Sequence, residues 1–168
     1  VSVIRLGVET NTYDMTGEAV AEKDVPELTS EDVEKVLESY RGDIEQVPPM
    51  FSALKHRGQP LYKLARQGIT VERPPRPVTV RELELTAIDL PLLTVRTVCS
   101  RGTYIRTLAH DIGNDLGCGG CIETLVRTRS GPYSMDTGMT LEDIEKEPAK
   151  AIASVVPLED VRALLEAE

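Results

Sequence analysis

The stretch CSRGTYIRTLAHDIG, residues Cys99–Gly113, carries the pattern that decides the fold. It begins as the end of a run of β-branched and apolar residues, breaks at Arg101-Gly102, and continues as an amphipathic helix with Thr103 as the expected N-cap. The pattern predicts a strand, a turn and a helix in succession. A corner of this kind on a rigid scaffold can present a charged side chain in a cleft.

Arg106 is the charged side chain at this corner, beside Tyr104 and within the first turn of the predicted helix. Cations stabilise the C-terminal end of a helix, so an arginine in the first turn indicates an anionic partner outside the helix. The alternative is a surface arginine whose guanidinium extends into solvent.

The flanking segments predict the α+β class, with a mixed, mainly antiparallel sheet and helices against it. Apolar spacing predicts strands at Val1–Leu6, Val78–Ile88 and Leu93–Cys99. In the first strand, Val1, Val3 and Leu6 are expected on the buried face. Thr29 and Asp32 have the spacing of a capping box at the start of a helix.

The composition of the 168 residues indicates an aliphatic core, because aromatic residues make up only 4% and there is no Trp. The length allows one domain, or one domain and an appendage. Three cysteines, an odd number, argue against a disulfide framework and for the cytoplasm. No apolar run reaches the ~18 residues of a membrane span.

Charge is segregated along the chain, although the formal net charge is −9. Between Phe51 and Arg81 there are seven cations and one acid, Glu72, which gives +6 for this stretch. The cations are Lys55, Arg57, Lys63, Arg66, Arg73, Arg76 and Arg81. Such a stretch suits an RNA backbone, with a solvated basic loop as the alternative.

Residues 48–77, called the flap below, combine these cations with prolines, glycines and one short helix around Leu61–Gln67. The segment has too few apolar residues for a core of its own. We therefore expect a projecting segment that is mobile when no ligand is bound. Phe51, His56 and Tyr62 add rings that could stack on bases.

Two other motifs have open interpretations. The polar turn from Thr10 to Gly17, which includes Asp14, could bind ribose or base edges, or its side chains could cap the turn itself. Cys118 and Cys121 have the spacing of half a zinc site or a redox pair. No second pair of ligands is present, so buried structural thiols are favoured and no metal is expected.

Four stretches together resemble the bacterial TruB-type tRNA pseudouridine synthases, in the right order and spacing. They are Leu6–Gly17 with its Thr, Asp and Gly residues, Pro48–Gly68, Cys99–Arg106, and Asp111–Leu125. The second and third are the most specific. The resemblance covers Val1 to about Tyr133 firmly and the rest loosely. It implies a pseudouridine-synthase-like fold with the flap as an RNA-gripping insertion.

The resemblance also implies an activity, the isomerisation of uridine 55 in the T loop of tRNA to pseudouridine without a cofactor. The family uses an aspartate nucleophile that pairs with an arginine, and this arginine falls on Arg106. Tyr104 and Leu125 fall at the same catalytic site. The implied RNA contacts are Lys55, Tyr62, Lys63, Arg66, Arg101 and Arg127.

Two departures from the family pattern concern the catalytic residues. The motif with the nucleophilic aspartate does not occur in this sequence, and the catalytic tyrosine would fall immediately before Val1. We therefore expect a fragment that lacks N-terminal strands and is inactive alone, with the missing N-terminal part as its partner and a monomer as its complete form. The alternative is a non-catalytic module that binds RNA hairpins.

The expected organisation is a partial catalytic domain at residues 1–147 and a C-terminal helical extension at 148–168. The family's C-terminal RNA-binding domain is not recognised in this sequence. The predicted partner is the T stem-loop of tRNA, and no membrane is expected.

Overall fold

The computed structural model describes residues 1–161. These residues form eleven strands, several of them only two residues long, and five α-helices. The strands are β1 Ser2–Leu6, β2 Val8–Thr10, β3 Ala19–Glu22, β4 Gly42–Gln46, β5 Lys55–His56, β6 Gln59–Pro60, β7 Arg76–Asp89, β8 Leu92–Cys99, β9 Gly120–Leu125, β10 Arg129–Ser130 and β11 Tyr133–Ser134. The helices are α1 Ser30–Glu38, α2 Leu61–Ala65, α3 Ile105–Asp115, α4 Leu141–Lys146 and α5 Pro148–Ala153.

The chain forms two compact units, Val1–Leu125 and Val126–Glu168. The predicted domain limits, 1–147 and 148–168, stay a prediction. The helix predicted after Pro157 lies largely outside the described residues. Among residues 1–161, no helix is long and apolar enough to cross a membrane.

The first unit is built on a five-stranded antiparallel sheet in the order β4-β7-β8-β1-β9. β7 and β8 form a long hairpin, and β1 lies between β8 and β9, with Ile4 opposite Leu93 and Ile122. Long β-branched runs explain the hairpin, since such residues pack well on a pleated surface. The predicted α+β class with a mainly antiparallel sheet is confirmed.

The buried face of β1 differs from the predicted one at Val1 and Val3, whereas Leu6 is buried as predicted. Ser2, Ile4 and Leu6 are buried, whereas Val1 is 43% exposed and Val3 is half-buried. Alternate residues of a strand face opposite sides, so a choice that is wrong by one position exchanges the two faces. Apolar spacing could not identify this face, because the polar side chain of Ser2 occupies a core position.

Helices α1 and α3 cover one face of the sheet and complete the core. Val33 and Leu37 of α1 pack with Leu108 and Ile112 of α3 in one buried cluster. The Thr29–Asp32 capping box that was predicted for α1 is present. The helices thus hold the first turn of α3, which carries Arg106, firmly against the sheet.

The second unit begins with the short β10–β11 hairpin and continues through α4 and α5. A capping box of Thr140 and Asp143 starts α4, and Pro148 starts α5 at a position where its missing N–H is tolerated. Several apolar side chains of this unit are exposed, including Leu141 and Ile152.

Candidate functional site

The site is centred on Asp14, in the loop between β2 and β3. Backbone hydrogen bonds attach this loop to β9: the Met15 N–H donates to the Ile122 carbonyl at 2.9 Å, and the Ile122 N–H donates to the Tyr13 carbonyl at 3.0 Å. Tyr13 has a φ of 63°, in the left-handed region. The loop therefore presents the Asp14 carboxylate from a fixed backbone.

Both oxygens of the Asp14 carboxylate accept hydrogen bonds. Oδ1 accepts from the Thr12 hydroxyl at 2.9 Å, from the Thr16 N–H at 3.0 Å and from the Thr16 hydroxyl at 2.5 Å. Oδ2 accepts from Arg106 Nη1 at 3.1 Å. Burial alone would raise the pKa of Asp14, but the hydrogen bonds from Thr16 and Thr12 and the charge of Arg106 outweigh it and lower the pKa. Asp14 is thus ionised at neutral pH.

Arg106 joins three segments of the chain through its guanidinium. Besides Asp14, its Nη1 donates to the Thr12 carbonyl at 2.8 Å, and its Nη2 donates to the Phe51 carbonyl at 2.7 Å. The side chain is 25% exposed, so it is neither free in solvent nor closed off. This geometry excludes the alternative of a solvated surface arginine.

The predicted partner of Arg106, a nucleophilic aspartate absent from this sequence, stays a prediction, and the pairing within the chain was not predicted. Arg106 is already paired with Asp14, whose turn was assigned no specific contact. The signal was present as the grouping of Thr12, Asp14 and Thr16 with Gly17. A β-carbon on Gly17 would lie 2.2 Å from the Thr12 hydroxyl oxygen, so glycine is required where the loop closes around its own side chains.

A second polar cluster, made of Glu9, Tyr13 and His110, follows directly from the Arg106–Asp14 pair. Of these three residues, His110 belongs to α3. The rings of Tyr13 and His110 stack at 4.0 Å with 9° between their planes. His110 Nδ1 lies 3.9 Å from Glu9 Oε2. Burial lowers the pKa of His110, against the opposing effect of Glu9, so the ring is neutral at pH 7. The stacked ring of His110 thus gives Tyr13 a contact with α3 in addition to its backbone bond to β9.

Asp111 is a half-buried carboxyl on the same helix. Burial, together with the nearby charge of Asp115, raises the pKa of Asp111 to about 6. Asp115 itself accepts a hydrogen bond from the Tyr40 hydroxyl at 2.7 Å.

The other residues predicted for the catalytic site lie at the ends of elements. Tyr104 is the N-cap of α3, two residues before Arg106, and it makes no side-chain cap. The predicted N-cap, Thr103, was wrong by one position, because its hydroxyl donates to the Ser100 carbonyl instead. Leu125 ends β9 opposite Ser2 and is 49% exposed. Their catalytic roles stay predictions.

The flap carries most of the predicted RNA contacts on exposed positions. Lys55 lies in the β5–β6 hairpin, Lys63 lies on α2, and the Arg66 guanidinium lies over the Tyr62 ring, 5.5 Å from its centre. Leu61 and Leu64 of α2 are buried, which leaves the cations on the outer face. The outer face of α2 can therefore contact phosphates.

Two predicted RNA contacts lie outside the flap. Arg101 is exposed in the turn before α3. Arg127 is exposed in the second unit, whereas Arg106 belongs to the first.

Cys118 and Cys121 are buried free thiols. Burial raises the pKa of both, which keeps them protonated at neutral pH. Cys121 Sγ contacts Met15 Sδ at 3.5 Å, beneath the loop that carries Asp14. Among residues 1–161, no group of three potential metal ligands comes together.

Comparisons with known proteins match the chain along nearly its whole length. Residues 1–105 match the N-terminal domain of the TruB family pseudouridylate synthases, and residues 106–165 match the tRNA pseudouridylate synthase B C-terminal domain. The tRNA pseudouridine synthase B of Saccharophagus degradans is 52% identical over 159 residues, 93% of this chain and 51% of the relative. That of Francisella philomiragia is 48% identical over 163 residues, 96% of this chain and 54% of the relative.

Solved structures show the same fold. A chain in the crystal structure of a Cbf5-Nop10-Gar1 complex is 26% identical with a TM-score of 0.63, and the match covers 88% of this chain and 34% of that chain. A chain in an H/ACA RNP bound to a substrate RNA containing 2'-deoxyuridine matches with a TM-score of 0.58 at 22% identity, over 94% of this chain and 36% of that chain. The chain spans about half the length of its curated relatives, and it belongs to the TruB family of pseudouridylate synthases.

Proposed function

We propose that this chain supplies the arginine half of the active site and the RNA-gripping flap of a tRNA pseudouridine synthase that acts on uridine 55 of the T loop. The observation that carries the proposal is the anchored guanidinium of Arg106. Three acceptors hold it, and the flap begins at the same segment that supplies the Phe51 carbonyl. The names of the relatives support the reaction.

Arg106 has donor capacity left for a second carboxylate. Its Nη atoms contact Thr12, Asp14 and Phe51, whereas its Nε donates to no acceptor within residues 1–161. A guanidinium can bind a carboxylate through two parallel N–H groups, which orients the carboxylate and keeps it ionised. The nucleophilic aspartate that the family resemblance implies would meet Arg106 there, from residues outside this chain.

Asp14 has a separate role from that nucleophile in this proposal. Its Oδ1 already accepts three hydrogen bonds and its Oδ2 accepts one from Arg106, so both oxygens are held by neighbouring groups. A carboxylate held this way is a poor nucleophile but a good anchor for a cation. Asp14 thus fixes the guanidinium through Nη1 and leaves Nε available to bind the nucleophilic aspartate.

The flap supplies the affinity for RNA. Its exposed cations neutralise phosphates and release counterions, which makes binding depend on salt. Tyr62 and Phe51 add ring surfaces close to these cations. The target uridine must leave the stack of bases before it reacts, and contacts between the flap and the RNA offset part of the cost of unstacking.

The experiment compares this chain with a chimera that joins it to the remainder of the Saccharophagus degradans synthase. Each is incubated with an unmodified T stem-loop, and pseudouridine is assayed. We expect product from the chimera and none from the chain alone. Product from the chain alone would overturn the claim that the nucleophile lies elsewhere.

A non-catalytic module that binds RNA hairpins remains the second candidate, because the exposed cations of the flap serve that function equally well. A chimera that binds the hairpin without forming product would favour this candidate. A chimera that neither binds nor reacts would contradict both.

A further inference from the structure

Gln46, the last residue of β4, is a buried polar side chain that is only 3% exposed. Its amide forms two hydrogen bonds with the backbone of Tyr104: Nε2 donates to the carbonyl at 3.1 Å, and Oε1 accepts from the N–H at 2.7 Å. The side-chain amide therefore bonds both polar groups of the Tyr104 backbone, as the backbone of a neighbouring strand would.

This contact supplies one half of a capping box, in which a side-chain oxygen accepts from the N–H of the N-cap residue. Tyr104 is the N-cap of α3 but has no side-chain cap bond, and its carbonyl also accepts the first helical bond, from Leu108 N at 3.1 Å. Without Gln46, the Tyr104 N–H would be left without its partner in a part-buried place, which is costly. Gln46 thus fixes the backbone of the first turn of α3.

The segment that begins at Gln46 contacts the same turn a second time. Five residues further on, the Phe51 carbonyl accepts from Arg106 Nη2 at 2.7 Å. Pro48 and Pro49 lie between the two contacts and restrict the backbone, and Pro49 is fully buried. The segment is therefore held against α3 at both ends, with little freedom between them.

We propose that Gln46 is a positioning residue for the synthase reaction: it fixes the N-terminus of α3 and so the direction of the Arg106 guanidinium. Gln46 acts through Tyr104 and the Phe51 segment, and it contacts no reacting group itself. The role in catalysis rests on the proposed function, whereas the contact with Tyr104 does not.

The first experiment uses the unmodified 168-residue chain and measures hydrogen exchange of the glutamine side-chain amides by NMR. The chain has three glutamines, and Gln59 and Gln67 are exposed, so they serve as internal controls. We expect slow exchange for the Gln46 amide and for the Tyr104 N–H. Exchange of the Gln46 amide as fast as that of the two controls would overturn the proposal.

The second experiment places Gln46→Met in the same chimera with the Saccharophagus degradans synthase, because Met matches the length of Gln but cannot make either hydrogen bond. We expect kcat to fall about 10- to 100-fold, as a misdirected catalytic group predicts, with KM within about twofold. Thr86→Val is the matched control, because it removes a side-chain hydrogen bond to the Thr94 carbonyl in the same sheet, on an exposed position. An unchanged kcat for Gln46→Met would overturn the proposal.

A double variant separates positioning from general destabilisation. If Gln46 acts through Arg106, adding Gln46→Met to Arg106→Lys lowers kcat by less than about threefold, because the guanidinium is already gone. A kcat for the double variant that falls by the full product of the two single losses would contradict the positioning role of Gln46. If the wild-type chimera forms no pseudouridine, the proposed function fails, while the exchange measurement still decides whether Gln46 clamps α3.

Discussion

At the scale of single residues, Arg106 and Asp14 are 92 positions apart in the chain, and their contact determines the site. The awkward position of Arg106 in the first turn of a helix predicted an anionic partner, and this prediction is confirmed. The anion named from the family resemblance was an aspartate absent from this sequence, and Asp14 was not predicted, because local patterns do not report contacts between distant segments. The contact of Arg106 with the Phe51 carbonyl could not be predicted from residue types, since every residue has a backbone carbonyl.

Asp111 gives a prediction at this scale, because its pKa is raised to about 6. A carboxyl whose pKa is higher in the folded than in the unfolded state destabilises the fold above about pH 6, and the penalty disappears as pH falls towards 4. We expect Asp111→Asn to raise the free energy of unfolding at pH 7 by on the order of 1 kcal/mol, after allowance for solvent screening, and to change it little at pH 4.5.

Urea denaturation at the two pH values measures this difference. Asp24→Asn, at an exposed carboxyl, is the control and is expected to change the free energy of unfolding by less than about 0.5 kcal/mol at either pH. A gain for Asp111→Asn that is equal at both pH values would contradict the assignment of the raised pKa.

At the scale of elements, the long strands and the capped helices could be predicted from the sequence. β7 and β8 have dense β-branched runs, and α1 has a complete capping box. β4 was missed because GDIEQ lacks such a run; it forms an edge strand whose stability comes from pairing with β7. The start of α3 was misplaced because the side chain that fixes its N-cap residue, Tyr104, belongs to Gln46, which is 58 positions away.

The crossing of α3 over β9 yields a prediction for Gly113. A β-carbon there would lie 2.3 Å from the Gly120 nitrogen and 2.4 Å from the Gly119 carbonyl carbon, both of them backbone atoms that cannot move alone. Gly113→Ala should therefore lower the free energy of unfolding by about 1–3 kcal/mol, although alanine favours a helix.

Chemical denaturation tests this, with Lys35→Ala on the exposed side of α1 as the control. The control is expected to change the free energy of unfolding by less than about 0.5 kcal/mol. A Gly113→Ala variant that is as stable as the wild type would show that the helix can move away from β9.

At the scale of the whole molecule, the distribution of charge matters more than its sum. A chain with a formal net charge of −9 carries a basic flap next to Arg106, and the sequence alone identified both. It could not identify how the flap is joined to α3, because the two contacts of the Gln46–Phe51 segment are long-range.

The flap gives a prediction for RNA binding. Replacing Lys63 and Arg66 with Ala should weaken binding of the T stem-loop to a similar extent whatever the RNA sequence. It should also reduce the slope of log affinity against log salt concentration by about two, one for each cation. A titration at several salt concentrations measures the slope. Lys146→Ala with Lys150→Ala is the matched control, since these cations pair with nearby carboxylates in the second unit. An unchanged slope for the flap variant would exclude contact with phosphates.

The most direct test of the central claim is the single-turnover rate of pseudouridine formation by the chimera carrying Arg106→Lys. Lysine keeps the charge but not the planar fork that contacts Asp14 and Phe51 and that, in the proposed function, binds a second carboxylate. Arg96→Lys, on an exposed residue of β8 paired with Glu82, is the control and should keep the wild-type rate. We predict that Arg106→Lys lowers the rate at least about 100-fold while hairpin affinity is retained. A rate within about threefold of the wild type would contradict the claim that Arg106 organises the active site.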